Sequence, residues 1–546
     1  MELPQIFAEI AASIPARRGR LFEQYSTRTA ADGTVRRTGP YYVLTRSVNG
    51  RTVSERVKAE DAPRVREEIE RGARLAALFE RIWEMAECAA RQARDPKKKT
   101  GPDGTPALGR IEAAALDLVG AAVKAEADAR SGARDLSEVE GDLRSAALSF
   151  AAKALGALMS GPLQQAAGVD APAGRRGTRT ETVLTSVGDV PYTRAYVPGG
   201  DRPFPADEEL GLVCRCTPSA AKLLCHEAAR SQSYLQASES LALSAGISVS
   251  ASSIHRLVRA VGPDMEAWAL SRTPSPAEPG RDVIVCLQMD MTGVRMLKRY
   301  LKGARGRGGG DPKGRQIKCG TLFLMERDAE GRYRRISGSA VHVISFCDPV
   351  SFSDALEKAR QKLAAPHGAT LVVVADGAEW IWNIVSDRFK EAFSIIDFWH
   401  AADRLHDLCE FALGKGDAAQ ALFKEWRKKM KVYGVDCVIR HFEGMEGSRR
   451  KLKGVAKRLA YFKRYRGQMQ YRRFRREGWP IGSGAVEGAC KSLIKQRTNL
   501  SGQRWSPDGA LDVLWARALI TDGLHDEYWR EKRSREGKRR EPVFAA

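Results

Sequence analysis

The sequence predicts an α/β core with a helical insertion, preceded by mixed α+β and helix-turn-helix domains. Three patterns lead to this fold class. Apolar runs typical of buried strands end at Asp290, Asp376 and Asp397, and a helical pattern lies between the last two. The stretch 398–477 has a helical pattern throughout. The stretch 1–60 instead has the composition of strands.

Length and charge narrow the class of partner. With 546 residues, the chain is long enough for about three or four domains. Its 89 Lys and Arg against 67 Asp and Glu give a net charge of +22, which indicates a polyanionic partner without separating DNA from RNA or an anionic membrane. No apolar run approaches the roughly 20 residues of a spanning helix, so we expect no membrane segment and a cytoplasmic protein with free cysteines.

The first half of the chain divides by composition into five segments. The turn signal Asn49-Gly50 between two strand-like runs predicts a hairpin, and a helical pattern follows it. The segments are a β-hairpin plus helix domain (1–94), a linker (95–110), a helical segment (111–165), a small β-rich segment (166–216) and a helix-turn-helix-like domain (217–270).

The last of these segments has three short helical patterns. A glycine, Gly246, separates the second from the third, and the third carries His255, Arg256 and Arg259. A helix, a turn with glycine and a second helix form the arrangement whose second helix enters the DNA major groove. The alternative is a plain helical hairpin. In this basic chain we favour DNA binding.

The second half follows the order of an RNase H-like core. Three strands, a helix, a strand, a helix and a strand occupy 281–397, and helices in 478–529 close the core. This is an analogy at the level of the fold. Between the two parts lies a basic helical insertion at 398–477, and a charged tail at 530–546 ends the chain.

Two basic stretches predict contact with nucleic acid. Residues 449–476 include thirteen Lys or Arg and no acid, interleaved with aromatic residues, whereas a solvated face usually mixes both signs. The stretch 478–505 opens a helix after Ser483, a candidate N-cap. The candidate DNA contacts in these stretches are Lys463, Arg464, Arg472, Arg473, Lys491, Lys495, Arg497, Arg504 and Trp505. For Trp505, packing in the core is an equal alternative.

Three carboxylates are candidates for a metal site. Asp290 and Asp376 end strands, and Glu487 lies in the first turn of a helix. Carboxylate oxygens select Mg²⁺ or Mn²⁺, and two such ions can promote in-line displacement at a phosphodiester. In this hypothesis Asp290 bridges both ions, Asp376 holds one and Glu487 the other. Alone, each acid could equally cap a turn.

Several motifs occur together in a fixed order: QMDMTGVR, RQIKCG, ADGAEWIW, IDFWHAADRL, EGWPIGSGAVEGACKSLIKQR and SGQRW. In these motifs the chain resembles the DDE transposases of bacterial insertion sequences, most closely the Kra-type group. The resemblance implies that Asp290, Asp376 and Glu487 are the catalytic triad, with a spacing of 487 − 376 = 111 between the last two acids. It also implies that His400 contacts the scissile phosphate or shapes the metal site, although a helix-capping histidine is an equal alternative.

The expected function is therefore DNA transposition. The chain would bind terminal inverted repeats and catalyse metal-dependent phosphodiester hydrolysis and strand transfer, as a homodimer or higher oligomer on double-stranded DNA associated with the nucleoid. Two alternatives stay open: a transposase-derived DNA-binding protein that does not cleave, and an RNase H-like nuclease acting on RNA or hybrids.

Overall fold

A computed structural model describes most of the chain as two compact units, Met1–Leu163 and Gln164–Ala546. The described residues are 9, 16–29, 35–48, 51–93, 107–132, 134–166, 177–197, 203–271, 282–301, 313–363, 365–366 and 368–537. The predicted Asn49-Gly50 turn and most of the predicted linker lie outside these ranges.

The first unit begins with a three-stranded antiparallel sheet backed by a long helix. The elements are β1 (Arg20–Thr29), β2 (Val35–Val48), β3 (Arg51–Val57) and α1 (Ala62–Ala93). Leu44 and Val65 are buried, and Glu68 pairs with Arg17 at 2.6 Å. The prediction of strands followed by a helix is confirmed.

Two helices, α2 (Ala107–Ser131) and α3 (Leu136–Ser160), pack together in the same unit. Lys153 bonds Asp117 across the pair at 2.7 Å. The helix that includes α3, Leu136–Gln164, is long and apolar enough to cross a membrane by length and composition alone, and 17% of its most apolar window is buried. We expected no such segment, because alanines and isolated charges break the apolar pattern of this helix.

Short elements occupy the stretch where we predicted a small β-rich segment. A short helix, α4 (Pro162–Ala166), precedes the hairpin of β4 (Gly177–Thr185) and β5 (Gly188–Tyr196), and α5 (Pro205–Glu209) follows it.

A six-stranded mixed sheet forms the centre of the second unit. Its strands are β6 (Val283–Arg295), β7 (Gly314–Arg327), β8 (Tyr333–Arg335), β9 (Val341–Ser345), β10 (Thr370–Ala375) and β11 (Phe393–Ile396), in the order β11-β10-β6-β7-β8 with β9 also on β7. The strands β6, β10 and β11 are parallel, whereas β7 is antiparallel to β6. Helices α9 (Pro349–Gln361) and α10 (Glu379–Arg388) link the later strands. The predicted α/β core is confirmed at this level.

Three helices precede the sheet at the predicted positions: α6 (Pro218–Arg230), α7 (Tyr234–Ala245) and α8 (Ala251–Ser271). Gly246 ends α7 with a left-handed φ of 68°. We expected a separate domain, but these helices share one hydrophobic core with the C-terminal helices. At Gly262 of α8 a Cβ would lie 2.3 Å from the Cβ of Asp512, so only glycine permits this close approach.

The stretch 398–477 is helical, as predicted. Its helices are α11 (Phe398–Leu413), α12 (Asp417–Tyr433), α13 (Asp436–Glu443), α14 (Arg449–Arg464) and α15 (Tyr471–Arg476).

The closing segment consists of α16 (Gly484–Ala489), a π-helical turn (Cys490–Lys495), α17 (Gln496–Thr498), α18 (Pro507–Thr521) and α19 (His525–Gly537). The first part of the expected tail at 530–546 is helical, because α19 continues through Gly537, and the rest of it lies outside the described residues. Tyr528 and Trp529 bury this helix against the core.

Candidate active site at the carboxyl edge of the sheet

The register of three parallel strands brings three aspartates to one edge. Pairing between β6 and β10 and between β10 and β11 ends in register, and the next residue along each strand is an aspartate: Asp290, Asp376 and Asp397. Neighbouring strands lie about 4.8 Å apart, so these residues are neighbours across the edge. Two of the three, Asp290 and Asp376, are the acids that the sequence predicted as metal ligands.

We expected Asp290 to end its strand, but it does not. The strand β6 continues to Arg295, paired with β7 alone. One carboxylate oxygen of Asp290 accepts a hydrogen bond from the backbone N–H of Met291 at 2.7 Å. Burial raises the pKa of Asp290, and the nearby charge of Asp376 raises it further. A buried carboxylate beside another carboxylate is an unfavourable arrangement that a cation would relieve.

Glu487 is held over this edge by a buried glutamine on β6. Gln288 is 2% exposed, and its Oε1 accepts hydrogen bonds from the N–H groups of Ala485 and Val486 at 3.1 Å each. Its Nε2 donates to the carbonyl of Gly482 at 3.1 Å. These bonds fix the first turn of α16, which carries Glu487. Sequence reasoning missed this residue, although a glutamine inside the apolar run VIVCLQMD was a signal.

Asp397, the third aspartate, is fully buried and connects two helices. Its carboxylate accepts from the N–H of His400 at 2.8 Å, from the N–H of Ser483 at 2.5 Å and from Oγ of Ser483 at 3.0 Å. These bonds outweigh the effect of burial and lower the pKa of Asp397.

Ser483 therefore has a different role from the predicted one. It stands at the N-cap position of α16, but its side chain caps nothing there. Its Oγ lies 3.0 Å from Oε1 of Glu487 as well as 3.0 Å from Asp397. Because a hydroxyl has one proton, it can donate to only one of these carboxylates at a time. The serine thus orients Glu487 from a buried anchor.

His400 is the basic group of the site. Its Nδ1 lies 3.2 Å from the carboxylate of Asp397, and this hydrogen bond, with the charges of Asp376 and Glu487, raises the pKa of His400 to about 9. The imidazole is therefore cationic at neutral pH. Ligand atoms of Asp397, His400 and Glu487 all lie within 4.8 Å of one another. In the described part of the chain this is the one group of three so close together, so the predicted triad is divided between it and the Asp290–Asp376 pair.

The predicted acids have no lysine or arginine partner among the residues that the structure describes. Within the described residues, Asp290, Asp376 and Glu487 form no ion pair with a basic side chain. Hard carboxylate oxygens, here with the imidazolium of His400 as their basic neighbour, are the donors that Mg²⁺ and Mn²⁺ prefer. The residues present therefore fit such a metal.

The helical insertion packs against the loop after Asp376. A Cβ on Gly377 would lie 2.6 Å from the ring of Tyr461, so a side chain there would displace this ring. The hydroxyl of Tyr465 donates to the carbonyl of Gly377 at 3.2 Å. Both tyrosines lie at or next to the end of α14, so the basic insertion borders the site.

Most of the predicted DNA contacts lie on the surface, but several are paired. His255, Arg256, Arg472, Arg473, Lys491, Lys495 and Arg504 are exposed. Lys463 pairs with Glu443 at 2.6 Å, and Arg464 pairs with Glu379 at 3.1 Å. Arg259 pairs with the buried Asp512 of α18, so it ties α8 to the core.

Arg497 and Trp505 lie inside the protein, at odds with a contact on the DNA-facing surface. They are 1% and 8% exposed. The Arg497 guanidinium donates to the carbonyls of Ala228 and Gln232 at 3.1 Å each and lies 4.9 Å from the ring centroid of Trp505. Arginine suits such a position because its planar fork satisfies carbonyls while it stacks on aromatic rings.

No protein-family model matches the chain, and no curated protein matches it.

Proposed function

We propose that this chain is a DNA transposase of the DDE type. It binds the terminal inverted repeats of an insertion sequence, hydrolyses the phosphodiester at the element end and joins the freed 3′-hydroxyl to target DNA. The observation that carries the proposal is the edge of the sheet, where Asp290 and Asp376 are neighbours in register and Gln288 holds Glu487 nearby.

The chain order of the elements supports an RNase H-like core. β6, β7 and β9 are followed by α9, β10, α10 and β11, which is the order predicted for this fold, with the short β8 as an addition. The acids lie at the carboxyl edge of the parallel strands, where α/β sheets place their ligands.

Asp290, Asp376 and Glu487 would hold Mg²⁺ or Mn²⁺ in this proposal. Such ions, when bound, would activate the attacking oxygen and stabilise the leaving one. Asp397 keeps His400 protonated through their hydrogen bond, and the imidazolium can donate to a phosphate oxygen beside the acids. Ser483 orients Glu487 from the opposite side.

The basic side chains near the site support DNA as the substrate. Lys491 and Lys495 are exposed on the helical segment that follows Glu487, and Arg472 and Arg473 are exposed on the insertion. Contacts of this kind to phosphates position a duplex without reading its sequence. At the start of α8 the exposed His255 and Arg256 are the candidates for contact with bases. Two element ends must be held together, so we infer a homodimer or higher oligomer on DNA.

Cleavage of a supercoiled plasmid that carries the gene with its native flanks tests the proposal. With Mg²⁺ or Mn²⁺, we expect breaks at the element ends. Asp290→Asn, Asp376→Asn and Glu487→Gln should each lower cleavage by about 10³-fold or more, since a missing donor removes transition-state stabilisation. Asp387→Asn, which changes an exposed acid on α10, is the matched control.

Binding must be measured beside cleavage. Variants that bind the element ends as wild type does, but do not cut them, support the metal triad. Binding by wild type without any breaks, under both metals, contradicts the enzyme proposal and favours a DNA-binding protein. Preferential cleavage of RNA or RNA–DNA hybrids favours the nuclease.

A further inference from the structure

A cavity of about 450 Å³ lies away from the acids, among α7, α8 and the segment that joins α17 to α18. Its wall includes Tyr234, Arg299, Arg497, Arg504 and Trp505. This volume is within the usual range for small-ligand sites, roughly 300–1,000 Å³.

Four residues of this wall have a buried polar atom without a partner. Among the described residues, ten buried side-chain atoms lack a hydrogen-bond partner, and four of them belong to this wall. They are Oη of Tyr234, Nη2 of Arg497, Oε1 of Gln503 and Nε1 of Trp505. Buried polar groups are nearly always paired in folded proteins, so four orphans beside one cavity indicate a missing ligand. Three of these atoms are donors and one is an acceptor.

The basic and aromatic side chains of the cavity wall suit a ligand that is both aromatic and negatively charged. Three arginines and a histidine line the cavity, and the wall includes no Asp or Glu. The Arg497 guanidinium lies 4.8 Å from the ring centroid of Tyr234 and 4.9 Å from that of Trp505. The exposed Arg504 suits a phosphate, whereas the aromatic rings and the amide of Gln503 suit a base. A nucleotide combines both features.

The cavity is connected to the acids through β6. The N–H of Trp505 donates to the carbonyl of Arg295 at 3.0 Å, and the N–H of Leu297 donates to the carbonyl of Trp505 at 2.9 Å. Arg295 lies five residues after Asp290 on this strand, a distance of about 16 Å. The exposed Lys491 and Lys495 lie on the helical segment between Glu487 and the cavity wall.

We propose that this cavity receives one unpaired nucleotide of the bound DNA, with its base against the aromatic wall and its phosphate on Arg504. This inference rests on the proposed function, and it gives Arg497 and Trp505 a role in the wall of the cavity, where each has a donor without a partner. A free nucleotide has the same chemistry as an unpaired one. The test therefore compares both sources.

The full chain would be titrated, without divalent metal, against two labelled duplexes of the element end. One is fully paired, and the other has a short unpaired overhang with the fluorescent base 2-aminopurine. We expect about tenfold tighter binding of the overhang, with a change in fluorescence as the base enters the cavity. A free 2-aminopurine nucleotide should bind far more weakly.

Two variants link the preference to the cavity. Arg504→Ala, at an exposed position, and Gln503→Glu, which adds a negative charge to the wall, should each weaken binding of the overhang about tenfold and weaken binding of the paired duplex by a much smaller factor. Lys390→Ala, an exposed loss of charge before β11, is the control and should change neither.

Equal binding of both duplexes by wild type, or equal weakening of both by the variants, overturns this inference alone. Free nucleotide that competes as well as the overhang also overturns it, in favour of a site for free nucleotides. Failure to bind any DNA contradicts the proposed function as well. Metal-free binding keeps these outcomes separate from loss of cleavage.

Discussion

Two groups of carboxylates in the second unit differ in whether basic side chains of the protein neutralise their charge. In the β4–β5 hairpin, Arg194 pairs with Glu181 at 3.1 Å and with Asp207 of α5, while Arg215 reaches Glu181 at 3.0 Å. The tyrosine Tyr192 also donates to Asp207. Every acid of this group has a cationic partner from the protein itself.

At the carboxyl edge of the sheet, the negative charges of the acids lack lysine or arginine partners among the described residues. Asp290, Asp376 and Glu487 have no Lys or Arg partner among the described residues, and the basic group whose charge acts on them is His400, which is hydrogen-bonded to Asp397. The hairpin shows that this chain neutralises acids where they are structural. The group at the sheet edge is therefore better explained by a cation from outside than by folding.

Removal of Arg194 should destabilise the hairpin, because this arginine pairs with Glu181 and Asp207. Arg194→Met leaves the partly buried Asp207 without its cation and Glu181 with the exposed Arg215 alone, so we expect the free energy of unfolding to fall by about 3–5 kcal/mol. Arg215→Met is the matched control: its side chain is 68% exposed, and its loss should cost at most about 1 kcal/mol. Urea unfolding measures both variants. Similar losses for the two would show that the buried arginine does not balance the hairpin.

The serine that orients Glu487 should matter for cleavage rather than for DNA binding. Ser483→Ala removes the bond to Oε1 of Glu487, and groups that orient a metal ligand typically contribute 10–100-fold. We expect a fall of this size in the rate of cleavage and a higher Mg²⁺ requirement. The control is Ser492→Ala, an exposed serine that bonds only the carbonyl of Gly488. An unchanged metal requirement in Ser483→Ala would contradict the orienting role.

Two aspartates of the edge should respond to pH with opposite signs. The pKa of Asp290 is raised in the folded state, so ionisation of this residue lowers the free energy of unfolding as pH rises above the ordinary carboxyl range. The pKa of Asp397 is lowered, so this residue contributes to the free energy of unfolding at neutral pH and loses that contribution in acid. Asp290→Asn should therefore equal or exceed wild type in thermal stability at pH 7, and the difference should vanish towards pH 4. Asp397→Asn should be less stable than wild type at pH 7 and approach it in acid. Melting curves across this range, without metal, would contradict this account if both variants shifted in the same direction.

The sequence predicted the parts of the fold that local patterns determine. The strands that lead to Asp376 and Asp397, the helix of Glu487 and the long helical insertion all follow from periodicity and composition, and Asp290 and Asp376 meet because parallel strands present the same edge. The sequence did not predict β8, the length of β6 or the continuation of α19, since these depend on pairing and packing between distant segments.

The wrong expectations for site residues have a common physical cause. The sign of a charge does not determine which way a side chain faces, so Arg497 was expected to meet DNA at the surface although it is buried against α6. Arg259 similarly pairs with Asp512, which is 253 residues away. The partners of Gln288 and Ser483 are also nearly 90 residues or more away, beyond what spacing can indicate.

Binding of Mn²⁺, followed by electron paramagnetic resonance, tests the central claim most directly. Wild type should bind Mn²⁺ at the carboxyl edge, and the double variant Asp290→Asn with Asp376→Asn should bind it at least tenfold more weakly. Glu181→Gln, in the balanced hairpin, should bind as wild type does. Equal Mn²⁺ affinity in wild type and the double variant, or no binding by wild type, would contradict the account of these acids as a metal site.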